Sequence, residues 1–249
     1  TMASRRNFLV GGVTTAVGAI AGYWLGRNRG SQLLPKETQP ESLAPAIIPY
    51  KDGLIISTWY HGLAANDAAW TVIGSGGRAI DAVEQGVAVV EADPNGGSVG
   101  IGGTPDRDGK VTLDACIMDE TGNAGSVSFL ENILHPISVA RKVMDDTPHV
   151  MLAGEGALQF AKEQGFEEID LLTPEAKERW EKWLVEEKYK PIINIENHDT
   201  IGLLAMDKQG NLSGACTTSG LGFKMRGRVG DSPVIGAGLF VDNEVGAAT

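Results

Sequence analysis

The pair Asp199-Thr200 follows His198 and stands directly before an apolar run from Ile201 to Met206. A threonine hydroxyl is a poor nucleophile until a base takes its proton. The nearest conceivable base is the residue's own α-amine, whose ordinary pKa is about 8. That amine exists only if the peptide bond before Thr200 is cut. Upstream, "TPEAKERWEKWLVEEKYKP" is densely charged and reads as an exposed linker running into a buried strand. Such a junction suits a cut, because the linker can leave while the strand holds the new terminus. Taken alone, however, Thr200 reads first as a β-branched residue opening a strand.

Other chemistries find less support. "GSGGRAI" lacks the Gly-Lys-Ser/Thr ending of a phosphate loop, and "GSVGIGG" is not a dinucleotide fingerprint. His61, His135, His149 and His198 have no metal-ligand spacing. A Ser-His-Asp triad assembles in space and is not excluded by spacing, but no GxSxG elbow supports one. The reading therefore calls for no metal and no cofactor. Cys116 and Cys216 are too few for a disulfide scaffold and read as two buried thiols, with a single disulfide as the other option.

The elements that must position Thr200 follow from turn residues and periodicity. "GLIISTW" is a strand candidate with Trp59 at its end. A helix with Asn66 as N-cap and Gly76-Gly77 as stop comes next. Ile80, Val83, Val87 and Val90 then recur at helical spacing and predict one buried face. "KVTLDACIMD" and "AGSVSFL" read as strands joined by the turn "ETGN"; "ISVARKVMDD" and "GALQFAKEQG" read as helices. "TIGLLAM", the turn "DKQGN" and "LSGACTTSG" predict a hairpin. Short turns between strands favour antiparallel sheets covered by helices over a Rossmann order.

With 249 residues, 42% of them hydrophobic, the chain can bury the core of one large domain. Its net charge of -11, with no basic stripe, argues against nucleic acid as a partner. Residues 1–30 have a different character. Arg5-Arg6 precedes a weakly apolar, Gly- and Ala-rich stretch from Phe8 to Leu25, the anatomy of an export signal. The Ser-Arg-Arg-Asn-Phe-Leu string resembles a twin-arginine signal and predicts a periplasmic or secreted protein. An uncleaved membrane anchor is the alternative, since about 18 apolar residues just suffice to span a bilayer. Residues 31–52 read as a Pro-rich tether, and residues 53–249 as the globular domain.

"NHDTIG", "GNLSGACTTSG" and "GRVGDSPVIGAGLFVDN", in that order, closely resemble the glycosylasparaginase family of N-terminal nucleophile hydrolases. The resemblance extends to "STW", "GGRAIDAVEQGV", "RDGKVTLDACIMD" and "ISVARKVMDDTPHVMLAGEGA", and covers the chain from about Leu54 to Thr249. It implies a four-layer αββα sandwich and a precursor that cuts itself between Asp199 and Thr200. Thr200 would then be the nucleophile, and Asp199 its assistant in processing. The resemblance makes Arg228 the binder of the substrate α-carboxylate and Asp231 the partner of its α-amine, although Arg and Asp three apart also form surface salt bridges. It makes Thr218 a hydroxyl beside the nucleophile and Trp59 an aromatic wall; core packing is the other reading of Trp59. The implied substrate is a small glycoasparagine. The implied assembly is an αβ heterodimer from one precursor, dimerising further, with no stable membrane partner after signal removal.

The family's pattern continues past "VGAAT" through a Thr-Gly pair that contacts substrate and stabilises the oxyanion. The domain is therefore expected to extend beyond Thr249, and the chain as written to be inactive by itself. A β-aspartyl peptidase or L-asparaginase of the same superfamily, whose junction usually reads His-Gly-Thr, is the alternative activity. A non-enzymatic exported binding protein is a third reading.

Overall fold

A computed structural model describes residues 51–186 and 200–249. The expected signal, most of the tether, His198 and Asp199 lie outside the described residues. Six strands form the central sheet: Leu54–Ser57 (β1), Leu113–Met118 (β2), Ala124–Leu130 (β3), Met151–Ala153 (β4), Ile201–Met206 (β5) and Leu212–Thr218 (β6). Their order across the sheet is β1-β5-β6-β2-β3-β4. All neighbours are antiparallel except β3 and β4. The predicted hairpins β2–β3 and β5–β6 both form. Each tip is held by an aspartate: Asp119 Oδ1 accepts from the amides of Thr121 and Asn123, and Asp207 Oδ1 from those of Gln209 and Asn211.

Helices α1 (Gly62–Gly74), α2 (Ala79–Glu91), α3 (Pro136–Asp146) and α4 (Gly154–Glu163) pack on this sheet. Ile80, Val83, Val87 and Val90 are buried as their spacing predicts, in one cluster with Ala115, Ile117, Ile201, Leu203 and Ala215. Helix α1 starts ahead of the expected Asn66 cap, because turns from Trp59 and Tyr60 wind directly into it. The opposite sheet face carries Cys116, Met118 and Cys216, which pack with Leu239 and Val241. The strands β7 (Phe240–Asp242) and β8 (Gly246–Ala248) form a second, two-stranded sheet against β6 on that side. The architecture is thus mixed α/β, with a large mixed sheet and helices. Both cysteines are buried free thiols. Among the described residues no helix is long and apolar enough to cross a membrane.

The charged segment expected to be a linker is, over Pro174–Glu186, a helix, α5. Its Ala, Glu, Lys and Leu content favours helix, and Lys177–Glu181 and Lys182–Glu186 make i,i+4 ion pairs. Two tryptophans dock it: Trp180 Nε1 donates to Arg107 O at 3.1 Å, and Trp183 stacks on Phe223 at 4.8 Å between ring centroids. The charge density of the segment conceals these two anchors in the sequence.

Glu91, at the end of α2, is fully buried and ties the layers together. Its Oε1 accepts from Thr217 Oγ1 on β6 at 2.7 Å and from the Ile137 amide at 3.1 Å, and its Oε2 lies 3.2 Å from His135 Nδ1. It therefore caps α3, whose own N-cap residue, His135, makes no side-chain cap. Burial pushes this carboxyl above the usual carboxylate range, against the opposing pull of His135 and Thr217. A raised folded pKa means tighter proton binding in the folded state. The stability this confers is fully present below the unfolded value of about 4.3 and is lost as pH rises through the folded value. Glu91→Gln should consequently flatten the stability–pH curve above about pH 4.3. Thermal melts from acid to neutral pH check this; a slope equal to wild type would show that Glu91 titrates as it does in solvent.

Candidate active site

Side chains alternate across a strand. Ile201, Leu203 and Ala205 face the helices, so Thr200 and Leu204 face the other layer, where Leu204 joins the Cys116–Val241 cluster. Thr200 immediately precedes β5, and its main chain is fastened to the segment after β1. Thr58 Oγ1 donates to Thr200 O and accepts from the Gly202 amide, both at 3.0 Å, while Thr58 N donates to Gly202 O at 3.0 Å. Thr200 Oγ1 lies 3.3 Å from Ser232 Oγ. Its observed partner is thus a hydroxyl, which is no base at neutral pH.

Ile201 pairs with Thr217, and continuing that register brings Thr200 beside Thr218. Thr218 is 2% exposed, pairs with Asp114 on β2, and accepts the Gly220 amide on its Oγ1 at 2.9 Å. Beyond this turn the chain returns with Arg228. Gly230 makes room for the guanidinium, since a Cβ there would stand 3.0 Å from its Nη1; one at Gly220 would lie in ordinary contact with it at 3.5 Å. A Cβ at Gly220 would also meet Lys224 Nζ at 2.7 Å, so both cations border the same turn.

Lys224 is almost fully buried, donating to Ser219 O at 2.7 Å and Thr112 O at 3.3 Å. Burial lowers its pKa and the charge of Asp114 raises it. Asp114 accepts the Phe129 amide at 2.8 Å; burial raises its pKa, which Lys224 and, more weakly, Arg228 pull down. The turn after β6 therefore presents positive charge backed by a buried carboxylate.

Asp231 and Trp59 are both exposed, Trp59 by 60%. Its φ of 61° is a left-handed conformation that a bulky residue seldom adopts. It follows Thr58, the residue that holds the Thr200 carbonyl. Burial pushes Cys116 well up and Cys216 to about 11, which makes both poor nucleophiles at neutral pH.

The structure thus brings Thr200, Thr218 and the Arg228 turn to one end of β5 and β6, and Asp199 lies outside the described residues. Thr58, Ser232, Lys224 and Asp114 are neighbours of the site that sequence reasoning misses. Thr58 and Ser232 do lie inside the quoted strings "STW" and "GRVGDSPVIG", but a hydroxyl gains meaning only from the atom it faces.

The site so built has a strand-opening threonine, its hydroxyl on the face away from the helices, and a cationic turn beside it. It stands in a chain whose sequence matches a known family over most of its length. The chain belongs to the asparaginase family, whose model matches residues 63–249. It is 66% identical over 196 residues to the N(4)-(β-N-acetylglucosaminyl)-L-asparaginase of Elizabethkingia miricola, covering 79% of this chain and 58% of that protein. It is 39% identical over 226 residues to the protein of the same name in Rattus norvegicus, covering 78% of this chain and 65% of that one. The chain spans less than two thirds of the length of these curated relatives.

Proposed function

We propose that the full-length protein is an amidohydrolase that cleaves the GlcNAc–asparagine amide bond, with Thr200 as nucleophile after autocleavage. The observation that carries this reading is the placement of Thr200. Its carbonyl is fastened by Thr58, and its hydroxyl turns toward the layer that also carries Ser232. The names of the relatives supply the substrate class.

In the precursor, Thr200 Oγ1 attacks the carbonyl carbon of Asp199, assisted by the Asp199 side chain. The acyl group passes from nitrogen to oxygen, and water hydrolyses the ester. This leaves a carboxylate on Asp199 and a free amine on Thr200. That amine, with an ordinary pKa of about 8, then takes the hydroxyl proton as Oγ1 attacks the substrate's side-chain amide carbon. The glycosylamine leaves with a proton, and water hydrolyses the remaining β-aspartyl ester to aspartate. Arg228 holds the substrate α-carboxylate with its planar fork, Asp231 the α-amine, Thr218 supplies a neighbouring hydroxyl, and Trp59 walls the site. The two sheets and their helices are read as part of an αββα sandwich, and the processed chains as an αβ heterodimer that dimerises further.

Rates of the full-length, processed protein on GlcNAc-asparagine, asparagine and a β-aspartyl dipeptide test the assignment. GlcNAc-asparagine should be the fastest of the three. A β-aspartyl dipeptide that is fastest would assign the isoaspartyl peptidase activity instead.

A further inference from the structure

The geometry points to Ser232 as a further catalytic residue, whose hydroxyl donates to Thr200 Oγ1 both when the precursor is cut and when substrate is hydrolysed. The inference rests on the reading of Thr200 as nucleophile. Ser232 is 3% exposed, and its Oγ lies 3.3 Å from the Thr200 oxygen. Its main chain is a rigid mount. Cys116 Sγ on β2 donates to Ser232 O at 3.0 Å, Ser126 Oγ on β3 donates to Pro233 O, and the Val234 amide closes a turn on Asp231 O at 2.8 Å. Three bonds therefore fix this short stretch, two of them from strands of the main sheet, and its hydroxyl lies between the Thr200 oxygen and the Cys216 thiol.

The direction of the bond follows from proton counting. A serine hydroxyl carries one proton and can also accept. Once the proton of Thr200 goes to a base, Oγ1 can only accept, and the proton left between the two oxygens belongs to Ser232. Donation to an oxygen gaining negative charge strengthens as the charge develops, and beside a buried serine water replaces it poorly. The same bond assists when Oγ1 leaves the ester in the hydrolytic step. Because the same oxygen attacks Asp199 in the precursor, loss of Ser232 should slow both reactions. A residue that binds only substrate would slow one.

The test uses the full-length protein as wild type, Ser232→Ala, Ser232→Cys and Ser232→Thr, following appearance of the chain that starts at Thr200, and kcat and KM per processed molecule. Ser232→Ala should slow processing and lower kcat by about ten- to a hundredfold, the loss of one charge-assisted bond, with KM near wild type. Ser232→Thr, which keeps the hydroxyl, should recover most of both rates. If Ser232→Ala fails to melt cooperatively, Ser232→Cys decides the matter, since it keeps the volume and replaces a good donor with a weak one. It should show the same paired loss. Wild-type processing and kcat in a folded Ala or Cys variant would overturn the inference, as would a raised KM with kcat unchanged. Wild type that never yields a chain starting at Thr200 would instead overturn the parent reading of the nucleophile.

Discussion

Thr200→Ala in the full-length protein is expected to remain a single chain with no measurable amide hydrolysis, whereas wild type yields two chains, the second beginning at Thr200. The alanine has no oxygen to attack the Asp199 carbonyl, and the uncut peptide bond leaves no α-amine to act as base. Both functions are lost with one atom. Deleting a nucleophile in well-studied hydrolases costs on the order of 10⁶ in kcat, so the effect should fall below detection. Denaturing gels and N-terminal sequencing read the outcome. Two chains from Thr200→Ala would mean that an outside protease makes the cut, and one intact wild-type chain after long incubation would remove the enzyme reading. The clamp from Thr58 grips the Thr200 carbonyl, a main-chain atom, so the variant should fold as wild type does.

Arg228→Ala separates recognition from chemistry. Its guanidinium stands at the turn after β6, in space that Gly230 leaves open. If it holds the substrate carboxylate, it has no part in cutting the precursor. The variant should be processed before Thr200 at close to the wild-type rate, yet hydrolyse GlcNAc-asparagine with kcat/KM reduced about ten- to a hundredfold. A charge-assisted bond is worth roughly 1.5–3 kcal/mol, and each 1.36 kcal/mol is about one decade in rate. Arg228→Lys should recover only part, because an ammonium cannot reproduce the two-pronged geometry. A processed Arg228→Ala protein with near-normal kcat/KM would place the substrate carboxylate elsewhere.

Much of the frame is determined by sequence alone, and the reason is local. The period of Ile80, Val83, Val87 and Val90 specifies one face of one helix, and that face is buried. The turns at Asp119 and Asp207 are legible because an aspartate closes its own loop through amides two and four residues on. The position of Thr200, between a charged segment and an apolar run, is visible on the same terms. Short range also explains the misses. The parallel strand β4 is three residues long and pairs with β3 across an intervening helix, so no local pattern announces it. Helix α5 reads as solvent-exposed linker because its anchors, Trp180 and Trp183, dock on Arg107 and Phe223, both far away along the chain.

Only the tertiary structure decided which polar groups meet. Ser232 faces Thr200 across 32 residues of chain, Thr58 reaches it across 142, and Glu91 reaches Thr217 across 126. None of these contacts leaves a periodic trace in the sequence, because a hydroxyl or carboxylate buried for a partner is chemically the same residue as one turned to water. Hydrophobic burial repeats along an element and can be read from one chain segment. A hydrogen bond between elements is a single event, set by how the sheet and its helices pack.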